Sequence, residues 1–152
     1  MKKILVVCLG NICRSPTAEA VLKARAKKLD IKVYVDSAGT IGHHAGNQPD
    51  SRAMAAGEKR GYSFKGIYSR KVRTSDFTEF DLILAADKQN LTDLKEQCPM
   101  HLQHKLALFL EFGEQNISAI PDPYYGGDDG FEKVLDLIEA ASDNILNNLN
   151  AK

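Results

Sequence analysis

The sequence predicts an α/β fold in a single domain over residues 1–152, with a central four-stranded parallel sheet and helices on both faces. Two observations support this prediction. Short apolar runs alternate along the chain with amphipathic helical patterns, which is the order of βα units around a parallel sheet. The length suits one domain with a substantial core, and no repeat, linker or low-complexity stretch divides the chain.

The first part of the chain contains two predicted strands around one helix. A strand is expected over 3–8, where an apolar run rich in branched residues suits burial on both faces. A helix follows over 15–29, with Pro16 in the first turn, where its missing N–H costs nothing. A second strand over 32–36 leads into a glycine-containing loop over 37–49. One face of this helix carries Ala18, Leu22, Ala26 and Leu29.

The alternation continues to the end of the chain. Asp50 or Ser51 can cap a helix that Gly61 ends, and the segment 62–74 has room for a short strand. The remaining elements are, in order, a strand over 81–86, a helix over 87–97 that ends before Pro99, a strand or short helix over 106–110, a glycine-rich loop over 126–130, and a helix from about Phe131. The last helix is expected to bury Val134, Leu135, Ile138, Ile145 and Leu149.

Composition excludes several kinds of partner and compartment. Twenty basic and twenty acidic side chains cancel, so no overall field favours nucleic acid or an anionic membrane. No apolar stretch approaches the ~20 residues that span a bilayer, and the apolar N-terminal run is too short for a signal peptide. We therefore expect a cytoplasmic protein. Three cysteines are typical of free thiols rather than a disulfide framework, and no paired Cys or His spacing indicates zinc.

The segment that connects the first strand to the first helix predicts a phosphate-binding loop. Cys8 ends the strand, and Arg14 follows after five intervening residues, at the start of the helix. A loop that enters a helix N-terminus supplies backbone N–H donors and the positive end of the helix dipole. Gly10 allows close approach of the backbone, Asn11 tolerates a left-handed conformation, and the planar fork of Arg14 matches two phosphate oxygens.

The same surroundings make Cys8 a candidate nucleophile. A helix N-terminus and a nearby cation favour the thiolate form of a cysteine, and the Ser15 hydroxyl can donate a hydrogen bond to the sulfur. The alternative is a small buried packing residue, which is the commonest role of cysteine at a strand end. The spacing of Cys8 and Arg14 alone is weak evidence for a functional site. Its position between a strand and a helix favours the functional interpretation.

These residues carry a resemblance to a known family. The motifs are Val-Cys-Leu-Gly-Asn-Ile-Cys-Arg-Ser-Pro over 7–16 followed by Ala18-Glu19-Ala20, Asp-Ser-Ala-Gly-Thr over 36–40, Pro-Asp-Ser-Arg-Ala over 49–53, Phe80-Asp81 with Asp87 and Asn90, and Asp-Pro-Tyr-Tyr-Gly over 122–126. In this order they resemble the low-molecular-weight protein tyrosine phosphatases over nearly the whole chain. The resemblance implies hydrolysis of phosphotyrosine in a protein substrate, without a metal or cofactor.

The resemblance also implies a role for each site residue. Cys8 attacks phosphorus and forms a cysteinyl-phosphate, and Asp122 acts as general acid and then as general base. Asn11 braces the loop through a hydrogen bond to Ser37, and Ser15 supports the thiolate. The phosphate oxygens are held by Arg14 and by the backbone amides of Leu9, Gly10, Asn11, Ile12, Cys13 and Arg14. From the local sequence alone, Asp122 before Pro123 fits a surface turn as well as it fits a general acid.

The substrate cleft rim is expected to contain Leu9, Ile12, His43, Tyr124 and Tyr125. The two tyrosines could stack on a substrate ring, pack, or be phosphorylated themselves, as in the family. Related phosphoarginine phosphatases carry threonine at the position of Ile12, so the bulkier side chain favours phosphotyrosine. The adjacent histidines, His43 and His44, lie where some relatives place an aromatic residue, although solvated surface histidines are the commoner case.

Several alternatives stay open. In the family, Cys8 and Cys13 can form a reversible disulfide under peroxide; otherwise Cys13 is a packing residue. A protein arginine phosphatase and a thiol-coupled arsenate reductase have similar loops, but the reductase needs further cysteines, and only Cys98 is available downstream. A binding module without catalysis is a third class. A tyrosine kinase is a candidate partner, and we expect a monomer or weak homodimer.

Overall fold

Four parallel strands form the centre of the protein in a computed structural model, which describes residues 1–42, 44–112, 119–121 and 130–150. The strands are β1 Lys2–Cys8, β2 Val33–Gly39, β3 Leu82–Ala85 and β4 Leu106–Leu108. The helices are α1 Arg14–Lys28, α2 Ser51–Lys59, α3 Asp76–Glu79, α4 Lys88–Gln97 and α5 Gly130–Asn150. Two 3₁₀ turns span Met100–Lys105 and Phe109–Phe112.

The strand order places a topological switch point at the end of β1. The order is β2-β1-β3-β4, so the chain leaves β1 for one neighbour and later returns to its other side. Ile4 pairs with Val35 of β2 and with Leu82 of β3. Crevices at such points, outside the carboxyl ends of the strands, are the usual ligand sites of open α/β sheets. The predicted fold class is confirmed, and Cys8 is the last residue of β1.

Two apolar clusters cover the two faces of the sheet. Residues 4–7 of β1 are fully buried, and their side chains alternate between the clusters, as the pleat requires. Ile4 and Val6 belong to the cluster formed with α1 and α5, whereas Leu5 and Val7 belong to the cluster that contains Phe77 and Leu94 from the other face. Burial on both sides explains why β1 is a continuous apolar run.

Helix α1 begins one residue before its predicted start and ends one residue earlier. Of the four residues on the apolar face, Ala18, Leu22 and Ala26 are buried, whereas Leu29 is the C-cap and is 40% exposed. The helix ends there because Asp30 adopts a left-handed φ of 57°. Cys13 is the N-cap, and its side chain makes no capping hydrogen bond to the first turn.

Strand β2 extends three residues beyond its predicted end, so Ser37–Gly39 is strand and not loop. The reason is that the ladder with β1 continues to its last residue, where Cys8 pairs with Gly39. Ser37 pairs with Val6, so the extension brings it into the part of β2 that runs alongside the end of β1. The loop that follows β1 begins there.

The segment 62–74 forms no strand; one isolated bridge joins Lys71 to Gly39. Sequence reasoning missed the four-residue helix α3 and the turn over Met100–Lys105, both of which are too short to give a periodic signal. Strand β4 ends two residues before the expected boundary, at Leu108, where a 3₁₀ turn takes over.

Helices α2, α4 and α5 are confirmed. Asp50 caps α2, because its carboxylate accepts hydrogen bonds from the amides of Arg52 and Ala53. Asp87 caps α4 in the same way, through the amide of Asn90. The predicted glycine-rich loop lies outside the described residues, except that Gly130 is the first residue of α5. Among the described helices, none is long and apolar enough to cross a membrane.

Candidate active site

A cleft of about 160 Å³ lies at the carboxyl end of β1. It is lined by Cys8, Leu9, Gly10, Ile12, Cys13, Arg14, Ile41 and His44. Four of these eight residues belong to the loop between β1 and α1, and Cys8 and Arg14 flank that loop, so the structure brings expected anion-binding residues to one cavity. The Cys8 side chain is almost inaccessible, since the residue is 3% exposed.

The carbonyl groups of this loop are engaged by the surrounding structure. The hydrogen bonds are from Thr40 N to Cys8 O at 2.9 Å, from Ile41 N to Leu9 O at 3.1 Å, from Ser69 Oγ to Gly10 O at 3.0 Å, from Asp50 N to Ile12 O at 2.6 Å, and from Thr17 Oγ1 to Cys13 O at 2.7 Å. In a trans peptide the next N–H points away from the carbonyl, and the described residues contain no cis peptide bond. The amides of residues 9–11, 13 and 14 therefore point toward the opposite, concave side.

The sulfur of Cys8 has two hydrogen-bond partners, Asn11 N and Ser15 Oγ. Asn11 N donates to Cys8 Sγ at 3.3 Å, which shows directly that this amide points inward. Ser15 Oγ lies 3.0 Å from Cys8 Sγ and 3.5 Å from Ala38 O, so the sulfur is the nearer acceptor for its proton. Donors at a sulfur stabilise its charged form, and the concave loop adds the partial positive charge of its amides.

Asn11 holds the loop in a conformation that few residues adopt. Its φ is 57°, in the left-handed region, and the residue is 1% exposed. Its Nδ2 donates to Ser15 Oγ at 2.8 Å and to Ser37 Oγ at 3.0 Å, while its Oδ1 accepts from Arg70 N at 3.0 Å. Three hydrogen bonds of fixed direction determine the orientation of the amide. The network extends from Ser37 to Glu19 on α1, since Ser37 Oγ donates to Glu19 Oε1 at 2.6 Å.

Arg14 is anchored on one side of its guanidinium group. Its Nη1 donates to Asp87 Oδ2 at 2.8 Å and to Ile120 O at 3.1 Å, and its side chain is 12% exposed. Because these two bonds use both protons of Nη1, the edge formed by Nε and Nη2 is the one that can engage two oxygens of an anion.

Sequence reasoning noted Asp87 only as part of a motif and did not find its connection to Arg14. Asp87 Oδ1 caps α4 by accepting from Asn90 N, and its Oδ2 accepts from Arg14. An aspartate between an apolar strand and a helix signals the cap, but the second contact depends on β3 lying beside β1. Ile120 was also missed; its amide donates to Ala86 O at 2.8 Å, which fixes the chain at the end of β3.

Gly39 is a further position that sequence reasoning left without a role. A Cβ atom on Gly39 would lie 2.7 Å from Leu9 O and 2.9 Å from Ile41 O, both backbone atoms. Only glycine therefore allows β2 to approach the loop this closely.

The rim of the cleft contains two of the expected residues and two further ones. Leu9 and Ile12 line it, and the structure adds Ile41 and His44. Leu9 and Ile41 are 48% and 42% exposed, so they form an apolar edge at the mouth. His44 packs over Gly10, since its Cδ2 lies 3.0 Å from the place that a Cβ on Gly10 would take. The predicted residues His43, Asp122, Tyr124 and Tyr125 lie outside the described residues.

The three cysteines form no disulfide and lie in different surroundings. Cys8 and Cys13 both line the cleft. Cys98 is 6% exposed in the core cluster on the face of Phe77 and Leu94, and burial raises the pKa of its thiol. Across the described parts of the chain, no group of three His, Cys, Asp or Glu residues is arranged to hold a metal ion.

The sheet and the cleft together define an α/β protein with a cysteine and an arginine in an anion-binding loop. Residues 3–152 match the family described as low molecular weight phosphotyrosine protein phosphatase. The chain therefore belongs to that family, and the resemblance found in the sequence is confirmed.

Individual relatives agree over nearly the whole chain. The low molecular weight phosphotyrosine protein phosphatase of Schizosaccharomyces pombe is 44% identical, with 85% of each chain covered. The low molecular weight protein-tyrosine-phosphatase YfkJ of Bacillus subtilis is 38% identical over 96% of this chain and 94% of its own. Among solved structures, a protein tyrosine phosphatase from Entamoeba histolytica superposes with a TM-score of 0.95 at 43% identity, covering 99% of this chain and 98% of its own.

Proposed function

We propose that this protein hydrolyses phosphotyrosine in proteins through a cysteinyl-phosphate intermediate, with Cys8 as nucleophile, Arg14 as phosphate clamp and Asp122 as general acid and base. The observation that carries the proposal is the position of Cys8 Sγ in the cleft, where it accepts a hydrogen bond from Asn11 N inside a loop of inward-pointing amides. Relatives named protein-tyrosine phosphatases support the substrate class.

In the first step, the Cys8 thiolate attacks phosphorus on the side opposite the ester oxygen. The S–P bond forms as the P–O bond to the aryl group breaks, and the leaving oxygen takes a proton from the Asp122 carboxylic acid. The equatorial oxygens are held by the loop amides and by the Nε and Nη2 edge of Arg14. These donors are fixed before the substrate arrives, because the loop carbonyls and Arg14 Nη1 are already hydrogen-bonded.

In the second step, Asp122 returns as a carboxylate and takes a proton from water, whose oxygen attacks phosphorus. The S–P bond breaks, inorganic phosphate forms and the Cys8 thiolate is restored. Ser15 Oγ, 3.0 Å from the sulfur, can stabilise the departing thiolate.

The assignment of Asp122 is supported by the anchoring of Ile120. Ile120 O accepts from Arg14 Nη1, and Ile120 N donates to Ala86 O, so the chain is fixed at the cleft two residues before Asp122. Two residues of extended chain span at most about 7 Å. A general acid and base at position 122, two residues further along the chain, is consistent with this anchor beside Arg14.

The walls of the cleft favour an aryl ester. Leu9, Ile12 and Ile41 present apolar side chains, and an aromatic ring gains free energy when it is buried against such a surface. The bulk of Ile12 disfavours the phosphoarginine substrates of relatives with threonine there. An arsenate reductase would need further cysteines downstream of the loop to relay a disulfide, but Cys98, the one cysteine after Cys13 in the sequence, lies in a core cluster and does not line the cleft.

The test is a kinetic comparison of wild type, Cys8→Ser, Asp122→Ala and, as a matched cysteine control, Cys98→Ser. Initial rates are measured in chelator on phosphotyrosine and phosphoserine peptides, phosphoarginine, and arsenate with a thiol reductant. We expect hydrolysis of phosphotyrosine by wild type and Cys98→Ser and none by Cys8→Ser. Asp122→Ala should lose most activity on aryl phosphates with poor leaving groups.

Activity that survives in Cys8→Ser would contradict the proposal, as would a preference for phosphoarginine or arsenate. A loss in Asp122→Ala that is the same for good and poor leaving groups would remove Asp122 as the acid.

A further inference from the structure

Glu19 is a buried carboxylate that the proposed mechanism does not use. It is 3% exposed and lies on α1, four residues after Ser15, so the two side chains share one face of the helix. One carboxylate oxygen, Oε2, is bound by the Lys23 ammonium group one turn further on, and the other, Oε1, accepts from Ser37 Oγ at 2.6 Å. A buried charge of this kind requires hydrogen-bonding or ionic partners. One of the two partners here, Ser37, connects Glu19 to the loop after β1.

Donor counting gives a direction to the hydrogen bonds between Glu19 and Cys8. The single proton of Ser37 goes to the Glu19 carboxylate, so Ser37 Oγ accepts from Asn11 Nδ2. The second proton of Asn11 Nδ2 goes to Ser15 Oγ. The amide cannot flip without loss, because Arg70 N donates to Asn11 Oδ1.

The chain of bonds ends at the sulfur. Ser15 Oγ already accepts from Asn11, so its own proton is directed to an acceptor, and Cys8 Sγ at 3.0 Å is nearer than Ala38 O at 3.5 Å. Without the Glu19 carboxylate, the Ser37 hydroxyl would need another acceptor for its proton. Its orientation would change, and Asn11 Nδ2 would lose an acceptor of fixed position.

We propose that Glu19 is a positioning residue for the nucleophile: as a carboxylate it sets the direction of the Ser37–Asn11–Ser15 hydrogen bonds, so that the Ser15 hydroxyl donates to Cys8 Sγ. The inference rests on the proposed function, because it assigns the thiolate the role of nucleophile. Glu19 acts through other residues and does not touch the substrate.

The charged groups around Glu19 determine whether it remains a carboxylate. Burial raises its pKa, while hydrogen bonds from Lys23 and Ser37 act in the opposite direction and the Asp36 carboxylate on β2 adds to the rise. Asp36 is itself paired with Arg70 at 3.1 Å. Lys23 is therefore the cation that favours the carboxylate form of Glu19 against the effect of burial.

The test measures the rate of iodoacetamide alkylation of Cys8 as a function of pH, with the modified peptide identified by mass. In Glu19→Gln, Lys23 still requires an acceptor, so the glutamine oxygen faces Lys23 and the amide nitrogen donates to Ser37, which reverses that bond. We expect the midpoint of the alkylation profile to move up by about one pH unit, since a hydrogen bond to the thiolate is weakened. The double variant Glu19→Gln/Lys23→Met frees the glutamine to offer its oxygen to Ser37 and should return the midpoint toward wild type.

The direction of the shift separates positioning from simple electrostatics. Removing a negative charge near a thiolate stabilises the thiolate, so a purely Coulombic role for Glu19 moves the midpoint down. Asp143→Asn is the control, because its ion pair with Arg25, at 2.8 Å, joins α1 to α5 but does not reach the loop. It should lower thermal stability and leave the midpoint unchanged.

An unchanged or lower midpoint in Glu19→Gln would overturn the proposal, as would a double variant that stays at the midpoint of the single variant. Alkylation needs no phosphate ester. A wild-type protein that hydrolyses no aryl phosphate, but whose midpoint responds to Glu19 as described, would therefore refute the proposed function and leave the positioning role intact.

Discussion

Arg14 and Asp87 form an ion pair, Nη1 to Oδ2 at 2.8 Å, that joins the first residue of α1 to the cap of α4. The two residues are 73 positions apart, and they meet because β1 and β3 are neighbours in the sheet. The Asp87 carboxylate also caps α4. One side chain therefore fixes both the start of α4 and the guanidinium group of Arg14. The guanidinium group that we propose as the phosphate clamp is thus oriented by the protein itself.

Asp87→Asn should weaken substrate capture more than turnover. The asparagine can still cap α4, but it loses the charge that holds Arg14 Nη1, and a charge-assisted hydrogen bond is worth about 1.5–3 kcal/mol. Because the ion pair is partly exposed, we expect an effect at the lower end of this energy range. That corresponds to a fall in kcat/KM of about tenfold, mostly through a higher KM. Steady-state kinetics on an aryl phosphate check this, with Asp143→Asn as a control at an ion pair of equal length. An unchanged KM would show that Asp87 does not orient the clamp.

Gly39→Ala should damage the site by displacing the loop. The added Cβ would stand 2.7 Å from Leu9 O, and backbone atoms cannot move aside as a flexible side chain can. We expect a loss of about 1–3 kcal/mol of stability, as for other overpacked sites, with a larger proportional loss of kcat/KM. Gly42→Ala is the matched control, because its Cβ would make only ordinary contact with Lys71 at 3.6 Å. Equal behaviour of the two variants in thermal melts and kinetics would refute the steric argument.

Cys98 should react with thiol reagents much more slowly than Cys8. Burial raises the pKa of the Cys98 thiol, so its thiolate fraction at neutral pH lies below that of an exposed cysteine, and Lys105 only partly opposes this. Peptide mapping after brief iodoacetamide treatment at pH 7 should find Cys8 modified and Cys98 intact, and denaturant should remove the difference. Modification of Cys98 at the same rate as Cys8 in the folded protein would be inconsistent with this.

Cys13 should protect Cys8 against irreversible oxidation. Both thiols line the same cleft, and peroxide converts a thiolate to a sulfenic acid, which a second thiol can attack with loss of water to form a disulfide. After peroxide treatment, a thiol reductant should restore activity to wild type but not to Cys13→Ser. Equal recovery of the two proteins would leave Cys13 as a packing residue.

The sequence predicted the parts of the site that are local and missed those that depend on distant pairing. The Cys8–Arg14 loop follows from a strand pattern, a helix pattern and the residues between them. Gly39 could not be assigned, because its role appears only when β2 is known to extend to the end of β1. Arg70 donates to Asn11 across 59 positions, and no periodicity encodes that contact.

The rim illustrates the same limit. Leu9 and Ile12 belong to the loop and were found, whereas Ile41 and His44 reach the cleft because the chain after β2 pairs with the loop, as in the bond from Ile41 N to Leu9 O. The resemblance covered both adjacent histidines, His43 and His44, and residue type alone does not predict that His44 lies over Gly10.

The most direct test of the central claim is a search for the covalent intermediate. Asp122→Ala is mixed with an aryl phosphate that has a good leaving group, quenched in acid within milliseconds, and digested for mass spectrometry. A good leaving group needs little protonation, so the first step stays fast, whereas hydrolysis of the intermediate has lost its base. We therefore expect a burst of phenolate and one phosphoryl group on the peptide that contains Cys8. A phosphoryl group on another residue, or phenolate release in a steady state with Cys8 unmodified, would contradict it.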